Sequence, residues 1–197
     1  MRPEVTDFMA MGGAWGRRIM KVFPALAGIL GGCGAWFLNT SGTLETADYV
    51  DVERYMGTWY EIAKYPNTFQ QGCSGVTAEY TLLTDGRVRV VNVCRGDDLT
   101  TVKRTIEGFA TVADRSTNAK LTVYFFFPFG APYWIIDLDE DYRYAVVGEP
   151  SRRFLWILSR TPVLDDTTYH EILQRLPEKG YDPARLVLTP QVAEERP

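Results

Sequence analysis

The chain has 197 residues, enough for one domain with a sizeable core plus an appendage, and 13% of them are aromatic. A net charge of −4 excludes the basic stripe of a nucleic-acid binder, and the wealth of rings favours β structure or an apolar site. No stretch reaches the roughly 18 apolar residues of a spanning helix, because the longest candidate, 22–38, is broken by Pro24 and by glycines.

Near the N-terminus, Arg17, Arg18 and Lys21 form a positive flank, "VFPALAGIL" a short apolar core, and "LGGC" (Leu30 to Cys33) closes it with small residues. That is the order of a signal peptide, and a cysteine directly after the small residues resembles a bacterial lipobox. The reading predicts a lipoprotein-type signal over 1–32, a lipidated Cys33 with a small, polar tether over 33–49, and a folded domain over 50–197. The run Arg17 to Val22 also faintly resembles a twin-arginine signal, and the polar character of Met1 to Gly16 makes Met11 or Met20 a candidate start. A buried N-terminal helix is the alternative, and the glycines around Cys33 oppose it. With Cys33 assigned to the anchor, Cys73 and Cys94 are expected to form a disulfide in an exported chain. Two free buried thiols are the other reading.

Ordered structure opens at "GTWYEIAKYP", Gly57 to Pro66. Strict alternation sets Trp59, Glu61 and Ala63 against Tyr60, Ile62 and Lys64, so the segment reads as a strand covered on both faces. "SGVTAEYTLL" alternates Val76, Ala78, Tyr80 and Leu82 against polar neighbours. "TDG" is a hairpin signal leading into "RVRVVNV". "TIEGFATV", "KLTVYFFF", "YWIIDLD", "YRYAVVG" and "FLWILSR" complete eight strands joined by short turns, the pattern of an antiparallel barrel or sandwich. The small residues Ala78, Gly108 and Ala110 on the expected inner face favour a barrel with room inside. After Pro162 the period changes: Tyr169, Ile172, Leu173 and Leu176 make an amphipathic helix between Asp165/Asp166 and Gly180, with Pro177 a poor fit in its last turn. "RLVLTP" reads as a final short strand.

Three stretches resemble lipocalin motifs. "GTWYEIAKYP" is similar to the first, "DEDYRYAVV" (Asp139 to Val147) to the second, and "LWILSRTP" (Leu155 to Pro162) to the third. They occur in family order over roughly 50–189, and with the lipobox they resemble the outer-membrane lipocalins of bacteria. The resemblance implies an all-β fold, an eight-stranded antiparallel up-and-down barrel with one C-terminal α-helix packed outside. It also implies a structural set of Gly57, Trp59, Asp141, Tyr142 and Arg160, in which Arg160 packs on Trp59 at the closed end and Gly57 lets the chain cross beneath. A guanidinium on an indole is a favourable contact.

Strand parity then gives the expected ligand pocket: Ala78, Val90, Asn92, Phe125, Tyr133, Ile135, Trp156 and Leu158, with Val123 beside them. Tyr133 rests on the family pattern and would exchange with Trp134 if a bulge intervened. These rings filling an ordinary core is the competing reading. The aromatic stretch Tyr124 to Trp134 is expected at the mouth, where it either marks an interaction or membrane contact or tucks under the rim. His170 is the only histidine, which leaves a nucleophilic site without a base and a metal or haem site without ligands. Asp139, Glu140 and Asp141 read as a solvated turn. The expectation is therefore no enzyme, no cofactor and no metal. The resemblance implies a lipid-anchored protein of the outer membrane, facing the periplasm, that binds a fatty acid or lysophospholipid and leaves a homodimer open. The alternative is a closed barrel that uses 124–134 to dock a protein.

Overall fold

The computed structural model describes residues 42–192. The signal segment, Cys33 and the start of the tether lie outside the described residues. Eight strands form the wall: β1 Gly57–Lys64, β2 Gly75–Leu82, β3 Val88–Arg95, β4 Val102–Val112, β5 Lys120–Phe126, β6 Phe129–Leu138, β7 Tyr144–Gly148 and β8 Leu155–Ser159. Each runs antiparallel to its predecessor, and β1 pairs with both β2 and β8, which closes the sheet into a barrel. A short helix α1 (Val52–Tyr55) precedes β1, helix α2 (Asp166–Arg175) packs outside, and β9 (Val187–Leu188) adds to β1 near the mouth.

The alternation of the strands separates two cores. Trp59, Ala78, Tyr80, Val90, Val123, Ile135, Val147 and Leu158 pack inside the barrel. Ala63, Ile136, Val146, Ile157, Ile172 and Leu176 pack between the wall and α2. Helix α2 starts on the Asp165 side chain, which accepts from the Thr168 amide, and stops at Arg175. Pro177 lacks the amide needed to continue an α-helix, so the chain tightens into a 3₁₀ turn over Leu176–Lys179 and leaves through left-handed Gly180. The C-terminal strand read from "RLVLTP" is present as β9.

One departure from simple alternation turns the end of β1 over. Between β1 and β8 the register steps from Glu61↔Leu158 to Ala63↔Ile157, so Ile62 is a β-bulge. Directly paired residues share a face. Ala63 therefore joins Ile157 in the outer core, while Lys64, opposite Trp156, turns into the barrel. The sequence pattern had set Ala63 beside Trp59 and Lys64 on the opposite face; the extra residue reverses both. A second shift, between Ile135 and Asp137, lies below Tyr133, so Tyr133 stays inward and Trp134 faces the outer core.

The closed end is built on Trp59, which is fully buried. The Arg160 guanidinium lies 3.8 Å from the indole ring centroid. Its Nη1 donates to Thr58 O at 3.0 Å and its Nη2 to Arg54 O at 2.7 Å, which holds α1 across the floor. The indole Nε1 donates to Tyr55 O at 2.9 Å. Gly57 has φ +94°, and a side chain there would come within 3.4 Å of Arg160 Nη1. Tyr142, also left-handed at φ 62°, accepts the Asp51 amide on its hydroxyl and carries the Arg54 guanidinium 4.1 Å above its ring. The Asp139 carboxylate, expected to be solvated, instead accepts from the Asp141 and Arg143 amides and pairs with the Arg143 side chain at 2.7 Å, fixing this turn. Asp141 and Glu140 are exposed as expected.

At the other end, Cys73 and Cys94 are bonded with Cα atoms 5.2 Å apart, tying the β1–β2 loop to β3. Trp59→Ala removes the plug and leaves Arg160 without its ring. We expect a loss of about 3–5 kcal/mol, read as a lower urea midpoint at unchanged slope; an unshifted midpoint would show the plug to be expendable.

Candidate functional site: the barrel interior and its mouth

The lower half of the barrel is filled by rings. Trp59 sits directly opposite Ala78 on β2, and Tyr55 lies 4.9 Å from Trp59 between ring centroids. The small residues read as room are mostly accommodation for these neighbours. Gly108 shows this best: a Cβ there would fall 2.8 Å from the Phe125 ring and 2.2 Å from Tyr124 O, so β5 and its phenylalanine lie against bare backbone. The space at Gly108 is Phe125's.

Three phenols meet among these rings. Tyr133 Oη is 2.8 Å from Tyr55 Oη and 2.9 Å from Tyr80 Oη. Burial raises all three above the ordinary tyrosine range, Tyr80 to about 12 despite the opposing bond from Tyr133. Each hydroxyl carries one proton and the trio makes two mutual bonds, so one donor stays unspent inside the barrel.

Every residue expected to line the pocket lies on the inner face. Ala78, Val90, Ile135 and Leu158 are buried in the inner core, and Phe125, Tyr133 and Trp156 are half-buried against it. Asn92 pairs with Ala78 and Ile106 on neighbouring strands. Its Oδ1 is enclosed and has no hydrogen-bond partner. A buried orphan acceptor of this kind costs about 1–3 kcal/mol.

The mouth carries a polar network over which sequence reasoning passed. Glu61 Oε1 accepts from Lys64 Nζ at 2.7 Å and Thr189 Oγ1 at 2.6 Å, and Oε2 accepts from Gln70 Nε2 at 2.6 Å. Gln70 Oε1 in turn accepts from Trp156 Nε1 at 3.0 Å and Asn67 Nδ2 at 2.7 Å. The Trp156 indole is flanked by Phe154 at 6.0 Å and Phe69 at 6.3 Å between centroids. The alternation of "GTWYEIAKYP" already set Glu61 on Trp59's face, which was the available signal; the bulge that brings Lys64 to it has none.

The aromatic stretch divides. Phe125 and Tyr133 go inside, Tyr124 stacks on Phe109 at 5.0 Å on the outer wall, and Phe126, Phe127 and Phe129 stand exposed at the rim, Phe127 at 76%. A cleft of 530 Å³ lies outside the barrel near the floor, between residues 46–49 and the end of β6. Of the carboxylates that line it, Asp137 and Asp139 are engaged by Arg175 and Arg143, and Asp48 and Glu140 stand beside Lys179 on its lining. His170 is exposed, with Nδ1 against Asp166 O at 2.6 Å. No metal-ligating cluster occurs among the described residues.

A closed antiparallel calyx, plugged at one end and ringed with aromatics at the other, is what these residues define. A family model described as a lipocalin-like domain matches residues 50–191, and the chain belongs to the lipocalin family. Temperature-induced lipocalin-1 of Arabidopsis thaliana is 43% identical over 159 residues, 75% of this chain and 83% of the relative. Outer membrane lipoprotein Blc of Escherichia coli K12 is 40% identical over 141 residues, 72% of this chain and 79% of the relative. Among solved structures, insecticyanin from the tobacco hornworm Manduca sexta has a TM-score of 0.61 at 21% identity, covering 78% of this chain and 86% of that one, a likeness of fold alone.

The phenol trio makes stability sensitive to alkali. A tyrosine in the unfolded chain loses its proton near pH 10, whereas folded Tyr80 holds its own to about 12. Below pH 10 both states keep the proton and the stabilisation is complete. Through the window from 10 to 12 only the unfolded chain ionises, so stability falls as pH rises, by about 2–3 kcal/mol for Tyr80 alone at roughly 1.4 kcal/mol per unit. Urea midpoints followed across this window check it; phenolate absorbance appearing at ordinary pH in folded protein for all tyrosines would refute it.

Proposed function

We propose that the chain is a lipid-anchored lipocalin of the outer membrane, facing the periplasm, which binds, stores or carries a lipid such as a fatty acid or lysophospholipid in its barrel. It is read as a binding and transport protein and not as an enzyme. The observation that carries the reading is the orphan Asn92 Oδ1, set between Ala78 and Ile106 on the inner face. A polar atom left unpaired inside a barrel is explained when a ligand supplies its partner. The free hydroxyl of a lysophospholipid donates such a bond, and its acyl chain gains about 0.8 kcal/mol for each CH₂ buried. Ala78, Val90, Phe125, Tyr133, Ile135, Trp156 and Leu158 would line its path. The E. coli relative's description as an outer membrane lipoprotein supports the anchor and the location.

A second reading draws on the rim. Phe126, Phe127 and Phe129 are 62–76% exposed, and contiguous exposed rings mark docking surfaces. A barrel packed shut would then dock a protein, a second copy included.

A displacement titration with a fluorescent fatty acid separates the two. The first reading expects saturable binding that Trp156→Ala weakens about tenfold or more, with Asn92→Leu weakening a lysophospholipid while leaving the fold at least as stable. Absence of saturable binding in wild-type protein favours the rim reading. For the anchor, expression in a Gram-negative cell with labelled fatty acid should label the wild type and sediment it with membranes, and Cys33→Ser should do neither. A labelled serine variant would end the lipobox reading.

A further inference from the structure

The Glu61–Lys64 pair is more than an internal salt bridge. Lys64 is 9% exposed and Glu61 2%. Their hydrogen bonds are unequal. Both oxygens of the carboxylate are engaged: Lys64 and Thr189 reach Oε1 and Gln70 reaches Oε2. The ammonium has three protons, and a single bond, to Glu61, uses one of them. Burying a charge is tolerated when its remaining protons are also satisfied. No other described residue takes the remaining two, and the side chain points into the barrel because the Ile62 bulge has turned it there, opposite the half-buried Trp156.

What these protons lack is an acceptor, and what surrounds them is the mouth of the barrel. Gln70 Oε1 already accepts from Trp156 Nε1 and Asn67 Nδ2, and the Trp156 indole offers only a donor, so neither supplies one. A second cation stands at the mouth. Arg104, opposite Cys94 on β4, donates from Nη2 to Phe69 O at 2.9 Å and to Cys73 Sγ at 3.3 Å. Oxygen acceptors entering here with an apolar tail below them would find Lys64 at the boundary between rings and solvent.

We propose that Lys64 is the head-group anchor of the barrel, taking a phosphate or carboxylate oxygen of an amphiphile whose tail lies among the inner rings. The assignment rests on the lipid-binding reading given above and adds the polar end of the ligand to it. Glu61 is the positioning residue: it fixes the ammonium without exhausting it. Charge-assisted bonds of this kind are short and about twice as strong as neutral ones. An ammonium also accepts phosphate and carboxylate alike, since it acts as a point charge and not as a planar fork.

The experiment compares two probes with the same acyl chain, a lysophosphatidate and a monoacylglycerol, with inorganic phosphate alone as a third arm. Wild-type protein should hold the lysophosphatidate about tenfold or more tighter than the monoacylglycerol. Lys64→Met should lose that preference while keeping its affinity for the monoacylglycerol, and Lys64→Arg should retain most of it. Because Lys64→Met leaves Glu61 buried without its cation, Glu61→Gln/Lys64→Met serves as the folded control if the single variant fails to fold, and it too should lose the preference. An equal affinity for both lipids in the wild type, or a preference that survives the loss of Lys64, overturns the head-group assignment while leaving the barrel as a lipid site. Micromolar, saturable binding of phosphate alone overturns it in favour of a free-anion site. If wild-type protein holds neither lipid, the lipid-binding reading itself falls.

Discussion

The stack of Arg160 on Trp59 is the contact on which the rest of the barrel depends. It joins the end of β8 to the start of β1, and through Nη2 and the indole Nε1 it also holds α1 across the opening. A guanidinium suits this place because it offers several donors in one plane while its face covers a ring. Three carbonyls, Thr58 O, Arg54 O and Tyr142 O, take one bond from each of its nitrogens, so the charge enters an aromatic floor held on three sides. Once the floor is fixed, the strand faces are fixed as well, since a slip of one residue would put every inner side chain outside.

From that floor upward the parity runs undisturbed only as far as Glu61. The Ile62 bulge then rotates β1, and the rotation serves two layers at once. Ala63 drops into the packing against α2, where a lysine would have been buried without a partner. Lys64 swings to Glu61. The bulge also coincides with the place where β1 and β2 part: their pairing ends at Tyr60↔Thr77. The C-terminal segment fills that gap. Thr189 N donates to Ile62 O, and Gln191 Nε2 donates to both Glu61 O and Val76 O at 2.8 Å, one carbonyl on each strand. A barrel that stays closed over its whole height therefore needs residues from both ends of the domain.

Much of this was legible in the sequence because it follows from short-range rules. Period-two runs located the eight strands, the turn chemistry located the hairpins, and the motif residues Gly57, Trp59 and Arg160 located the floor. Tyr133 and Trp134 were separable only by the family pattern, and the shift beyond Ile135 shows why: parity carried from one end of β6 fails at the other. The Ile62 bulge was not legible at all. A bulge depends on how two distant strands share their hydrogen bonds, and "EIAK" alternates as well without one. The same holds for Gly108. Its lack of a side chain was visible, but whether a ligand or Phe125 would use the space depended on the β4–β5 register. Asp139 was misjudged for a different reason: a carboxylate that caps its own turn looks, in sequence, like one that faces water.

The interior that results is graded from floor to mouth. Around Trp59 the rings pack tightly, and the phenols of Tyr55, Tyr80 and Tyr133 satisfy one another almost completely. Further along, Asn92 leaves one acceptor unmatched, and at the mouth Lys64 keeps two protons that no described residue takes. A core selected for stability alone would place its unsatisfied groups where water reaches them, since each enclosed one costs free energy. Here Asn92 Oδ1 is enclosed on the inner face, above the plugged end, while Lys64 offers its spare donors at the rim. An amphiphile meets both when a hydroxyl lies between its tail and an anionic group, because the order of its polar atoms then matches the order of the deficits.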